Sequence, residues 1–225
     1  MDLSTTENLA IVDHLLKTTR SVRKRLDFTR PVEAEMIEQC IEIATQAPSG
    51  SNEQRWHFVV VTDPAKRLGI AELYRQAFDK YLRGREQPQA EPRRAYEPSA
   101  TIMRRVTSSA IYLAQHLHEA PVHIIPCSEG RVENEPQFMQ AGHYGSILPA
   151  VWSLMLALRA RGLGSAWTTL HLPYEKEAAQ LLGIPDNITQ AALLPVAYFK
   201  GEDFHAAARI PAREVTHWDG WGQRR

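Results

Sequence analysis

The chain has 225 residues, 44% of them hydrophobic and 23% charged, enough for a sizeable core in one large domain or two small ones. Lys+Arg and Asp+Glu number 26 each, so no net field draws the molecule to nucleic acid or to an anionic membrane surface. Cys40 and Cys127 stand far apart with no CxxC pair, which argues against a zinc knuckle or a disulfide framework and fits a reducing, cytoplasmic setting. Residues Met1 to Glu7 show neither a basic nor an apolar leader pattern, so no signal peptide is expected.

Glu7 to Thr18 reads as a helix with Leu9, Val12, Leu15 and Leu16 on one side. Arg20, Ser21, Arg23 and Arg25 follow as a compact basic cluster. It is either a solvated face or an anion clamp, since guanidinium forks and a hydroxyl match phosphate oxygens. Pro31 to Glu33 opens a second helix with Met36, Ile37, Cys40, Ile41 and Ala44 on its apolar face. That helix delivers the chain to Ala47-Pro48-Ser49-Gly50-Ser51-Asn52-Glu53-Gln54-Arg55-Trp56, around which the chain is organised. Pro48 stops the helix. The small residues after it make either a polar turn or a cradle that lets a ligand approach the backbone.

Trp56 to Thr62 reads as a strand buried on both faces, and Asp63-Pro64 starts a helix through about Tyr81. Leu82 to Ser99 carries three prolines, Gly84 and many charges, and reads as an exposed lid over 81–99. Its four arginines alternate with Glu86, Glu91 and Glu97, so it is not a nucleic-acid patch. Thr101 to about Glu119 is helical, and Pro121 to Cys127 is a second buried-type strand. His116 and His118 are two apart on a helix and point to nearly opposite sides, so with His123 they read as structural rather than metal-ligating.

Phe138 to Arg161 is the long central helix; its most apolar part, around Ile147 to Leu158, reads as too short and too quickly charged to span a membrane. Its Gly142, Gly145, Ser146 and Ala150 suit close packing, in a core or at a subunit interface. Gly162-Leu163-Gly164 comes after a helix and before a strand, Ser165 to Leu170, the reverse of a dinucleotide fingerprint. Pro173 to Leu182 is a short helix, and Asn187 to Phe199 a last strand broken at Pro195. The tail, 205–225, holds Trp218 and Trp221 and is expected to dock, on this chain or on another subunit.

Three separated stretches resemble one family. Thr19-Arg20-Ser21-Val22-Arg23 is similar to its Arg-Arg-Ser-Val-Arg motif. Ala47 to Trp56 is similar to its Ala-Pro-Ser-(Gly/Ala)-x-Asn-x-Gln-x-Trp loop, and Leu158 to Ser165 to its Ala-Arg-Ala-Leu-Gly-Leu-Gly-Ser passage. The family is the FMN-dependent nitroreductases, which include flavin reductases and the iodotyrosine deiodinase branch.

The resemblance covers nearly the whole chain as a single domain, 1–225. It implies an α+β fold, a central mixed β-sheet wrapped by helices, and an interlocked homodimer with FMN sites built from both subunits. It implies that Arg20, Ser21 and Arg23 hold the phosphate and ribityl chain, and that Arg209 closes on the phosphate. Pro48, Ser49, Gly50 and Asn52 would come from the partner to the ring and ribityl oxygens, with Gln54 nearer the substrate. Thr168, Thr169 and Leu170 would meet the flavin N5 edge.

The activity implied is NAD(P)H-dependent reduction of nitroaromatic or quinone-type oxidants, by ping-pong hydride transfer through flavin N5, with no catalytic side chain and no metal. The alternatives are a reductive dehalogenase-like enzyme on the same scaffold and a non-catalytic FMN-binding protein; a plain structural dimer would bind no flavin. Thr19 and Ala207 depart from the family's arginine and lysine. The family's Pro-x-Glu-Gly is missing, which places the chain toward the deiodinase side. The Glu, Tyr and Lys with which that branch holds a zwitterionic amino acid find no match over 72–94.

Overall fold

The computed structural model describes residues 2–85 and 99–225. Seven α-helices are α1 Thr6–Thr18, α2 Ala34–Ala44, α3 Pro64–Arg85, α4 Ala100–His116, α5 Gln137–Ala160, α6 Glu175–Leu182 and α7 Ala212–Val215. Five strands are β1 Trp56–Val61, β2 Val122–Glu129, β3 Leu163–Ser165, β4 Ile188–Gln190 and β5 Leu194–Tyr198. The sheet order is β1-β2-β5-β3, with β4 beside the far end of β2. Every ladder among the described residues is antiparallel, so within one chain the sheet is not the mixed one the resemblance implied.

β2 explains why an unbroken apolar run becomes a central strand. Successive side chains point to opposite faces. Val122 and Ile124 join one core with α2 and α5; Ile125 and Cys127 join a second with α3 and α4. Both faces are therefore covered, and seven of its eight residues are buried. β1 was expected to be the same. It faces both cores, but it is the sheet edge; only Val61 is buried and Val60 is 40% exposed.

The last strand is interrupted at Ala191 to Leu193 rather than at Pro195. Leu193 turns away to exchange two backbone hydrogen bonds with Thr168, at 3.1 and 2.8 Å, while Pro195 sits within β5 opposite His123. The same exchange corrects the strand expected over Ser165 to Leu170: regular pairing ends at Ser165, and only the Thr168 bridge continues it. α3 continues through Tyr81 to Arg85, so the front of the expected lid is helix; residues 86–98, including Tyr96, lie outside the described residues.

α5 has 24 residues, and by length and composition alone could cross a membrane, which corrects the expectation that it is too short. Its packing gives it a different role: Ile147, Val151, Leu154 and Leu158 are fully buried in the core shared with α2, β2 and β5. Its other side is bare. Phe138 is 76% exposed, and a Cβ added at Gly142 or Gly145 would meet nothing within 4 Å. α1, which contacts α5, also leaves Leu9, Ile11, Val12 and Leu16 exposed. The tail folds on itself: His217 stacks on Trp221 at 4.4 Å and Arg225 lies 4.0 Å over Trp218, yet Trp221 is 92% exposed. The tryptophan-bearing end of the tail is exposed, whereas its start meets the beginning of the chain, Arg20 reaching the His205 carbonyl.

Candidate functional site

The site grows from the segment between α1 and α2. Val22 and Leu26 are buried apolar anchors. The Val22 N–H donates to the Ser165 carbonyl at 2.8 Å, and Leu26 bridges Phe199, so the segment is stitched to β3 and the end of β5. Gly164 permits this approach: a Cβ there would come within 3.0 Å of Leu26 and 3.1 Å of Val22. Anchoring Val22 and Leu26 leaves Arg20, Ser21 and Arg23 to line an open cleft of ≈ 950 Å³.

The other walls are α4 and the segment from Phe204 to Arg209, so arginines from both ends of the chain meet there. Arg20 donates to the His205 carbonyl at 3.3 Å, tying the two ends together. Among the described residues no Asp or Glu lines the cleft. Among the described residues no ion pair engages Arg20, Arg23 or Arg209. Arg25 is committed to structure: it donates to the carbonyls of Lys200 and Glu202 and stacks 4.1 Å over Phe204. A basic concavity without carboxylates is a site for a polyanion.

Arg23 is half-buried, and desolvation lowers its pKa from the ordinary arginine value, with Tyr74 pulling the other way. Guanidinium remains charged at neutral pH, so Arg23 is a cation with little water to screen it. Tyr74 is buried and its pKa is raised by that burial. The Thr168 hydroxyl donates to the Tyr74 hydroxyl at 3.3 Å. Tyr74 is thus held against the Thr168 turn, a contact the sequence does not announce because Tyr74 reads as an ordinary core position of a helix.

The serine loop is a different kind of structure. Gly50–Asn52 forms a 3-10 turn, and Ser51, Asn52 and Gln54 all take left-handed φ, at 51°, 54° and 53°. Each such non-glycine residue costs about 1 kcal/mol or more. The Gly50 N–H donates to Ser146 Oγ at 2.9 Å, and the Ser146 hydroxyl donates to the Gly142 carbonyl at 2.8 Å, which pins the loop to α5. The Gln54 N–H donates to Ser49 Oγ at 3.2 Å, and its side-chain amide donates to Asn52 Oδ1 at 3.1 Å. Pro48, Gly50, Ser51, Asn52 and Gln54 are exposed. A Cβ on Gly50 would meet only Ser146 Oγ, at an ordinary 3.5 Å, so nothing in this chain demands a glycine there.

Of the twelve residues singled out in the sequence, Arg20, Ser21, Arg23 and Arg209 share the cleft; Thr168 does not line it and is hydrogen-bonded to Tyr74. Pro48, Ser49, Gly50, Asn52, Gln54, Thr169 and Leu170 do not line it. Arg104 and Arg105 of α4 do, and in the sequence they are overshadowed by the arginines of the preceding charge-rich stretch, 82–99. Their signal was readable: two arginines set among Ile102, Val106 and Ser109, which recur at helical spacing. No group of three or more His, Cys, Asp or Glu among the described residues could hold a metal.

An α+β chain with an arginine-lined cleft open to anions and a strained, small-residue loop narrows the class of protein. The comparisons place it more closely. The family model described as "Nitroreductase family" matches residues 16–198, and the chain belongs to that family of flavoenzymes. It is 30% identical over 213 residues to an NADH dehydrogenase of Thermus thermophilus, covering 88% of this chain and 91% of that protein. It is also 30% identical over 190 residues to the iodotyrosine deiodinase of Drosophila melanogaster, covering 83% of this chain and 61% of that longer protein. Among solved structures, a variant of an FMN and NADPH-dependent nitroreductase from Sphigopyxis sp. strain HMH superposes with TM-score 0.61 at 25% identity, covering 93% and 99% of the two chains.

Proposed function

We propose that this chain is an FMN-dependent NAD(P)H oxidoreductase that reduces nitroaromatic or quinone-type compounds as a cytoplasmic homodimer. The observation that carries this reading is the cleft, without carboxylates among the described residues, in which Arg20, Ser21, Arg23 and Arg209 converge from opposite ends of the chain. That donor set fits a phosphate monoester: paired guanidinium donors, a hydroxyl, and a half-buried cation in Arg23. FMN, when bound, supplies the hydride chemistry.

The chain's residues supply the rest. Arg20, Arg23 and Arg209 hold the phosphate against β3. The Thr168 turn, fixed by its bridge to Leu193 and by Tyr74, follows β3 and offers hydroxyl and backbone donors to the ring. Ser49, Gly50, Asn52 and Gln54 reach the cofactor from the partner subunit. The bare side of α5, the exposed leucines of α1 and the exposed tail tryptophans support the homodimer, since large apolar side chains left in solvent in such number mark an interaction site.

The test is the visible spectrum of purified protein before and after NADH or NADPH without oxygen. Yellow protein that bleaches with either nicotinamide supports the enzyme. Colourless protein removes the reading altogether, and yellow protein that neither nicotinamide bleaches leaves a flavin-binding protein without this activity. The likeness to a deiodinase at 30% identity supports one second reading, a reductive dehalogenase. Turnover of halophenols but not of nitrofurans or quinones would select it.

A further inference from the structure

The cleft holds more positive charge than one phosphate needs. A phosphate monoester carries about two negative charges, and Arg20, Arg23 and Arg209 already answer them. Arg25 is taken up by two carbonyls and by Phe204, and Lys24 is held on Ser108 Oγ at 2.6 Å. Two cations are left over, Arg104 and Arg105, on the opposite wall.

Arg104 has one long contact, Nη2 to Thr101 Oγ1 at 3.5 Å. Arg105 makes neither a hydrogen bond nor an ion pair with a described residue. Two adjacent guanidiniums without an anion repel each other, and a bound anion removes that cost. The surface they stand on is also specific. Ile102, Arg105, Val106 and Ser109 are spaced i, i+3, i+4 and i+7, so they share one face of α4. Ile102 and Val106 are 38% and 47% exposed and offer an apolar platform beside the charge. The face fits a flat, apolar molecule with an anionic group at one end.

We propose that Arg104 and Arg105 form a second oxyanion site in this cleft, separate from the flavin-phosphate clamp, for a phosphate or carboxylate borne by a molecule that reacts at the flavin. This rests on the flavoenzyme reading above. The phosphate would belong to the nicotinamide donor, the carboxylate to an aromatic acceptor, and the two sources are separable.

In the flavin-loaded enzyme, each anionic reactant is paired with an uncharged one: NADPH with 1-benzyl-1,4-dihydronicotinamide, and 4-nitrobenzoate with nitrobenzene. In R104Q/R105Q the kcat/KM ratio, anionic over uncharged, is expected to fall about tenfold or more for one pair, the scale of one lost charge-assisted contact. A fall for the donors assigns the phosphate, and a fall for the acceptors assigns the carboxylate. R30Q, at an exposed arginine that does not line the cleft, keeps both ratios.

Unchanged ratios in R104Q/R105Q overturn the proposal. So does loss of FMN absorbance from that variant, because the pair would then belong to the flavin clamp. If the wild-type chain binds no flavin, the function proposed above fails by itself. The second site is then read on the colourless protein by calorimetric titration with 2′,5′-ADP. Binding that weakens tenfold in R104Q/R105Q supports it, and absent or equal binding sinks it.

Discussion

The arginine segment and the serine loop serve the same proposed ligand, yet they are built in opposite ways. The arginine segment is carried by the core: Val22 and Leu26 are buried, β3 is its hydrogen-bond partner, and Gly164 is cut to fit it. The serine loop rests on one hydroxyl, Ser146, holds three left-handed non-glycine residues and faces solvent. One half is rigid before any ligand arrives. The other stores strain that this chain alone does not relieve, as backbone committed to a ligand or partner does.

The largest test of that contrast removes the clamp charges. R20Q/R23Q is expected to weaken FMN binding by about 100-fold or more, since each charge-assisted contact is worth about 1.5–3 kcal/mol. Fluorescence titration of free flavin measures it, and near-normal affinity would mean the cleft does not hold the phosphate.

Acid attacks the supported half next. His123 and His171 are fully buried, and burial pushes both pKa values down to about 4, against the pull of the Leu117 carbonyl on the first and of Glu175 on the second. Both histidines are neutral in the fold and titrate near 6.5 when unfolded. Their contribution is complete above pH 6.5 and is lost as pH falls from 6.5 toward 4. At pH 5 the loss is about 2 kcal/mol per histidine, read as a lower urea midpoint. A midpoint flat from pH 7 to 5 would contradict it.

Gly164→Ala comes third. The new methyl presses on the Val22 side chain and on Leu26, so stability should fall by about 1–3 kcal/mol and flavin affinity with it, although Gly164 does not line the cleft. Unchanged affinity would show that the clamp does not depend on β3.

The smallest effect is expected at the loop. Ser51→Gly relaxes a left-handed residue and should leave stability unchanged or raise it by about 1 kcal/mol, the strain relieved being partly offset by a more flexible unfolded chain. A drop in thermal midpoint would mean the loop is not strained.

Much of this was legible in the chain. The apolar runs located β2 and the buried half of α5, and the motifs picked out Arg20, Ser21, Arg23 and Arg209, which the structure gathers into one cleft. What failed did so for identifiable reasons. Periodicity could not reveal that β1 is the sheet edge, because edge and centre differ only in what lies beside them. The strand over Ser165 to Leu170 stopped early because Leu193 offered Thr168 a partner from far along the chain. Arg104 and Arg105 were passed over because a helix that reads as amphipathic does not announce which of its charges meet a cleft.

The sequence by itself determined the helices, the buried central strand and the chemistry of the clamp, because spacing of apolar residues and the identity of donors are local properties. Only the tertiary structure decided that both ends of the chain share one cleft, that Tyr74 meets Thr168, and that the serine loop does not line that cleft. Those are distances between residues far apart in sequence, and they are set when Val22, Leu26 and the two cores close around the sheet.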